Sequence, residues 1–539
     1  MSALPPSPDL SFEKKQAKAL LRAARAGDAA ALARLPAGHG RPARAGAITL
    51  ADAQRAIARE RGFASWPKLK AHIEQARPLE EQAERFLAAV RDHRSGVAER
   101  VLRAHPRLAG RDVFTASAAG DAGALARLLA EDPRRALATH GEEEWPPLAY
   151  ACASRRHRVS ERLAGQLRRV VTLLLEAGAS PNSFSIYHEE GGWKAPIAVL
   201  YHACMSDHVA LVRLLLERGA KTEDGESVYH AAQHNRRACL EALLEHGAEL
   251  SSRQQPDRNT PLYFLVGHRD DRNGAAAWFK GLVWLLEHGA DPNVTSGESG
   301  EAPIHGVAAG PPKPATARAL LAHGADVNLA RADGRTPYAI ALRHGNRAVA
   351  ELLLEHGARR DGVEPMDEFL GACLDADATR ARNLLAEHPR LLETASDRDR
   401  GALADAVRQG RGDAIRVMVD VGFRPDWPDA DGATPLHVAA CEGKADLVKL
   451  LVSLGAPVNV RERRFGCSPL AWAAHGSRFA GGPPEAYRAI VAVLLDAGAA
   501  RETSINSWGE PPEAIADPDI ARLLRELGFA PEPPAARSR

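Results

Sequence analysis

The residues of this 539-residue chain best suited to chemistry are a few histidines, clustered glutamates and one serine–lysine phrase. A zinc protease needs two histidines a helical turn apart with a glutamate between them. His188-Glu189-Glu190 supplies the glutamates but no second histidine. A serine-nucleophile elbow reads Gly-x-Ser-x-Gly, and Gly297-Glu298-Ser299-Gly300 is one residue short of it. A phosphate loop closes on Gly-Lys-Ser/Thr, whose hydroxyl holds Mg²⁺; Gly443-Lys444 is followed by Ala445. Ser65-Trp66-Pro67-Lys68 matches Ser-x-x-Lys but lacks its Ser-Asp-Asn and Lys-Thr-Gly companions. Glu142, Glu143 and Glu144, like Glu189 and Glu190, sit in predicted loops, where solvated carboxylates are the simpler reading than an acid/base pair or a Ca²⁺ site. The expectation is a non-enzyme with no catalytic residue, no cofactor and no bound metal.

Composition narrows the classes further. Lys+Arg is 70 and Asp+Glu is 69, so the formal net charge is +1, without the basic excess of a dedicated nucleic-acid binder. An apolar fraction of 45% is too high for a disordered chain. No 18-residue apolar run is present, which argues against a membrane span. Met1 to Phe12 lacks the basic and apolar regions of a secretory signal. Cys152, Cys204, Cys239, Cys373, Cys441 and Cys467 are scattered and read as reduced core thiols of a cytoplasmic protein.

The elements that position these residues are announced by repetition. A Leu-rich run followed by Gly-Ala recurs at Gly178, Gly219, Gly247, Gly289, Gly324, Gly357, Gly455 and Gly498. Self-similarity at a period near 33 residues means a solenoid. Upstream of these runs stands a second phrase, most complete at Asp431-Gly432-Ala433-Thr434-Pro435-Leu436-His437-Val438-Ala439-Ala440. Looser copies are Thr260-Pro261-Leu262, Thr336-Pro337-Tyr338, Ala302-Pro303-Ile304-His305 and Ser468-Pro469-Leu470. The two phrases together resemble the ankyrin repeat. That resemblance covers about 450 residues and implies an all-α solenoid of helix-turn-helix units with short hairpin fingers, which binds other proteins on its concave face and fingers.

One unit can be read residue by residue. Asp431-Gly432 forms a turn, Thr434 an N-cap, and Pro435 the first helical position, where its missing N–H costs nothing. Leu436, Ala439 and Ala440 share one face; Gly443 closes the helix. Leu447, Val448, Leu450 and Leu451 form the stripe of a second helix, which Gly455 ends in the left-handed conformation. The resemblance makes His437 and His305 structural, bonded to the cap hydroxyl and neighbouring backbone.

About twelve units are expected between residues 80 and 530. Extra segments lie at Arg155–Arg169, Arg269–Phe279 and Gly476–Pro484 and are expected in loops. Residues 86–108 and 369–391 match at ten of 23 positions, which suggests a duplication. The expected arrays are therefore 79–362 and 363–530, joined near 359–365. Residues 11–78 read as a helical N-terminal capping module with Thr49 or Asp52 as one cap, Ser65 as another, and Phe63 and Trp66 in its core. Its Ala53–Trp66 stretch resembles a leader found ahead of ankyrin arrays in bacterial proteins. Residues 1–10 and the Pro-rich 531–539 are expected to be disordered.

Large aromatics and arginines in predicted fingers are the candidate partner contacts, because Trp, Tyr and Arg dominate binding hot spots. They are Trp145, Tyr187, Trp193, Trp427, Arg463, Arg464, Phe465 and Trp508, with Phe184 beside Tyr187. The expectation is a monomeric, cytoplasmic scaffold or adaptor that binds protein rather than nucleic acid or membrane. The alternatives are a bacterial effector acting on host proteins and a regulatory subunit of an enzyme.

Overall fold

A computed structural model describes residues 10–35, 48–75, 78–188, 194–253, 259–267, 275–360, 362–500 and 504–527. The 435–455 unit shows how each repeat is made. Asp429 accepts hydrogen bonds from the Asp431 and Ala433 N–H groups at 3.1 and 2.9 Å and so closes the finger turn, with Gly432 at φ 85°. Helix Pro435–Cys441 follows, its first residue needing no N–H partner. A reversal at Gly443 leads into helix Ala445–Ser453, which buries Val448, Leu450 and Leu451 and leaves Leu447 half-buried. Gly455, at φ 84°, ends it. Neither helix can bury its apolar face alone, so first helices pack on first helices and second on second.

Thirteen such pairs are present among the described residues, running from Leu79–Arg91 and Ser95–Ala104 to Pro512–Ile515 and Pro518–Glu526. Phe184–His188 and Lys194–Ala198 form the two-stranded antiparallel finger, in register Phe184 with Ala198 and His188 with Lys194. The fingers are further linked by asparagines four residues after the helix-ending glycine. Asn293 donates to the Gly324 carbonyl at 2.8 Å and accepts from the Asp326 N–H at 2.7 Å. Asn182, Asn328 and Asn459 repeat the arrangement.

The chain divides into two compact units, Met1–Glu249 and Leu250–Arg539. The expected joint at 359–365 lies inside the second unit. Helix Pro337–Arg343 packs on Pro365–Leu374 inside the second unit, because Arg343 and Arg335 both reach the fully buried Asp367 at 3.1 Å. The duplicated segments occupy equivalent places all the same: Phe86 and Phe369 are both fully buried in the first helix of a pair.

Two extra segments also differ from expectation. Arg155–Arg158 forms one 3₁₀ turn, and the rest lengthens the second helix to Glu161–Glu176. Gly476–Phe479 extends a first helix, Pro469–Phe479, by a full turn instead of forming a loop. Much of the third, at 268–274, lies outside the described residues, as do 1–9 and 528–539.

In the first unit, helices Leu10–Arg25, Ala29–Arg34, Leu50–Glu60 and Trp66–Gln75 pack around Leu20, Ile57, Leu69 and Ile73. Asp28 caps the second, and Thr49 caps the third by a reciprocal box with Asp52. Phe63 and Trp66 are half-buried at the rim of this core.

Candidate functional site

The signature histidine is fully engaged. Thr434 presents its hydroxyl and N–H to His437 Nδ1 at 2.7 and 3.2 Å, and Nε2 lies 3.0 Å from the Cys467 carbonyl. The carbonyl can only accept, so Nε2 carries the proton and Nδ1 accepts from Thr434. Burial lowers the imidazole pKa to about 4 and keeps it neutral. His305 does the same between the Ala302 N–H and the Leu329 carbonyl. Both tie a finger to the helix that follows it, and neither has a free ring nitrogen for chemistry.

Beside His437 opens a cleft of about 520 Å³ over helix Pro469–Phe479. Trp472, His475 and Phe479 lie at i, i+3 and i+7 of that helix and therefore on one face. The finger residues Phe465 and Trp508 continue the row. Phe465 stands 6.2 Å from Trp472 and 5.9 Å from Trp508 between ring centroids, and His475 stands 4.6 Å from Phe479. Trp508 is 69% exposed and Phe479 57%. Arg464 lies over the Phe465 ring and Arg478 over Phe479, at 5.1 and 5.2 Å. Glu462 is buried and holds the finger closed by accepting from the Phe465 and Arg464 N–H groups. The opposite wall comes from Ala514 and Ile515, with Asn506 donating to Glu510 at 2.9 Å on the rim.

The chemistry available here is apolar contact with charged edges. Burial raises the Cys441 thiol to about 11 and Cys467 to about 12, so neither is a thiolate nucleophile. All six cysteines are free thiols. Among the described residues no group of three His, Cys, Asp or Glu could hold a metal ion. None of the described helices is long and apolar enough to cross a membrane.

The expected contact residues scatter. Phe465 and Trp508 meet at the cleft, Arg464 lies over the Phe465 ring, and Arg463 is exposed on the same finger. Tyr187 and Phe184 are about half exposed on the first unit's hairpin. Trp193 lies outside the described residues. Trp427 is half-buried between Phe423 and the Arg400 guanidinium. Trp145 corrects its expectation: it is 6% exposed, packed 4.4 Å from the His202 ring and 5.1 Å from Tyr150. Its finger folds back, pairing His140 with Trp145, and so turns the indole inward.

Sequence reading missed Trp472, His475 and Phe479. Their spacing was the available signal: aromatic groups stand at i, i+3 and i+7 in a first helix, where the 435–441 unit carries Val438 and Cys441 at the first two of these places.

Comparison with known proteins agrees with this architecture. The family model for ankyrin repeats matches in three copies, at residues 162–254, 274–361 and 403–506, just over half of the chain. Mouse Rabankyrin-5 is 28% identical over 209 residues, 35% of this chain and 17% of that protein. Mouse protein phosphatase 1 regulatory subunit 12A is 40% identical over 96 residues, 18% of this chain and 8% of its own length. The chain thus spans under a fifth of these relatives. The crystal structure of the human ASB11 ankyrin repeat domain aligns with 46% of this chain and 98% of its own, at 23% identity and a TM-score of 0.34.

Proposed function

Because the chain belongs to the ankyrin-repeat family, we propose that it is a non-catalytic adaptor whose protein partner seats in the aromatic cleft over Pro469–Phe479. One observation carries this reading: Phe479 and Trp508, more than half exposed, border an apolar cleft with half-buried Phe465 and Trp472 between them. Exposed aromatics cost solvation unless a partner covers them, and contiguous apolar surface of this kind marks interaction sites. Ankyrin repeats generally mediate protein–protein contacts, and the phosphatase relative is by its name a regulatory subunit. The same reading places the chain in the cytoplasm as a monomer, a compartment that suits six unpaired cysteines.

The test is affinity capture with the full chain beside the Phe479→Ala/Trp508→Ala double variant, each from lysate of the source organism. The reading expects a protein retained by the native chain and lost by a variant with an unchanged melting curve. Retention of the same proteins by both would contradict it.

A further inference from the structure

First helices in this stack are commonly seven residues long, as at Pro337–Arg343 and Pro435–Cys441. Pro469–Phe479 has 11 residues, and the next first helix, Pro512–Ile515, has four. At 1.5 Å per residue these are about 16 and 6 Å long. The shorter helix meets its neighbour through Ala514 and Ile515, and the Asp517 N–H then donates to Ser477 Oγ at 2.9 Å before the chain enters Pro518–Glu526. Among the described residues the face of the longer helix that carries Trp472, His475, Arg478 and Phe479 stays open on the cleft. Measured against a seven-residue first helix, Pro512–Ile515 is about one helical turn short.

Resting on the proposed adaptor reading, we infer that the cleft takes a short amphipathic helix from the partner, laid in line with Pro512–Ile515 so that it completes the last first helix. The established packing of the stack continues into this interface, since Pro435–Cys441 already packs on the other flank of Pro469–Phe479. An apolar stripe at i, i+3 or i+4 and i+7 on the incoming helix meets Trp472, His475 and Phe479, which have the same spacing. Arg478 is exposed, lies over Phe479 and has no ion pair among the described residues. It fits an acidic side chain, or the carbonyl end of the incoming helix. Arg464 and Arg478 already lie over the ring faces of Phe465 and Phe479, so a cationic ligand would meet repulsion at both. An extended proline-rich segment would also find aromatic rings, but it has no use for a gap shaped by one helix on another.

The experiment is selection of a phage-displayed library of random 16-residue peptides on the full native chain, with depletion on Phe479→Ala. The inference expects enriched peptides with apolar residues at helical spacing and an Asp or Glu on the flank. Synthesised, they should gain helical circular dichroism on binding and bind Phe479→Ala at least tenfold more weakly. Selection on Arg478→Glu should exchange the acidic flank for Lys or Arg. Proline-rich or lysine-rich winners that still depend on Phe479 would overturn the helix while leaving the adaptor site in place. Peptides retained equally by the native chain and Phe479→Ala, or none retained by either, would overturn both.

Discussion

Gly476 lies against the carbonyl oxygen of Cys441 so closely that a Cβ built on it would stand 2.0 Å from that oxygen. The backbone of Pro469–Phe479 thus touches the backbone of Pro435–Cys441, and the extended helix exists only because residue 476 has no side chain. The Cys441 oxygen also accepts from the buried Tyr487 hydroxyl at 2.8 Å, which holds it in place. Gly476→Ala must push two helices apart. Overpacking of this kind costs about 1–3 kcal/mol, more when backbone must move. Gly165→Ala is the control, because that glycine has nothing within 4 Å and lies inside a helix. It should be neutral or stabilise by about 0.5–1 kcal/mol. Urea unfolding of both variants decides this; equal midpoints would refute the close approach.

The aromatic residues separate into packing and contact classes by a second pair of variants. Trp145→Ala empties a site between Tyr150 and His202 and should cost about 3–5 kcal/mol. Phe479→Ala removes a 57% exposed ring and should stay within about 0.5 kcal/mol. Thermal melts in which Phe479→Ala falls as far as Trp145→Ala would remove Phe479 from the cleft surface.

Asp367 is the hinge of a buried charge network. It accepts from Arg335 Nε and Arg343 Nη1 at 3.1 Å each, while Arg343 also pairs with Asp399. Removing one member of a buried pair leaves an uncompensated charge, a loss of about 3–5 kcal/mol. Asp367→Ala should therefore lower the denaturant midpoint sharply, and Asp367→Ala with Arg343→Met should recover part of the loss. A double variant no better than the single one would show that the network is not coupled.

Stability should rise with pH between about 4 and 6.5. Burial lowers His437, His93, His208 and His344 to about 4 and His202 to about 3. The unfolded chain, with ordinary histidines near 6.5, binds more protons in that window, so ΔG of unfolding increases with pH there. Below it, Glu301 and Asp399 act in the same sense, since hydrogen bonds from Tyr263 and Arg331 to the first and from Ser396 and Arg343 to the second hold both carboxyls below the ordinary range despite burial. Urea midpoints at pH 7.5, 6 and 5 should fall in that order; a flat series would mean that the histidines are not held neutral by the fold.

Much of this was legible in the residues themselves. The Thr-Pro-Leu-His and Gly-Ala phrases located both helices of the 435–455 unit, the turn at Gly432 and the structural role of His437, because each depends on neighbours within a few positions. Phe465 and Trp508 could be named as aromatics of the fingers and connections for the same reason. The extension through Gly476–Phe479 could not be seen, since a glycine near a Gly-Gly-Pro-Pro run reads as a breaker and its real cause is Cys441, 35 positions away. Trp145 was ambiguous because its partner His202 belongs to a later pair. The joint near 359–365 was placed from self-similarity, which records duplication. Contacts such as Arg343 with Asp367 and Asp399 run across that stretch and join residues too far apart in sequence for a local pattern to announce them.

The central claim is that a partner contacts the cleft over Pro469–Phe479. The most direct measurement is photo-crosslinking from a benzophenone amino acid placed at Phe479, at Trp508 and, in the first unit, at Tyr187, which is 53% exposed. The account predicts a crosslinked protein from positions 479 and 508 and none from 187. Crosslinking from 187 alone would contradict it and move the contact to the Phe184–His188 hairpin.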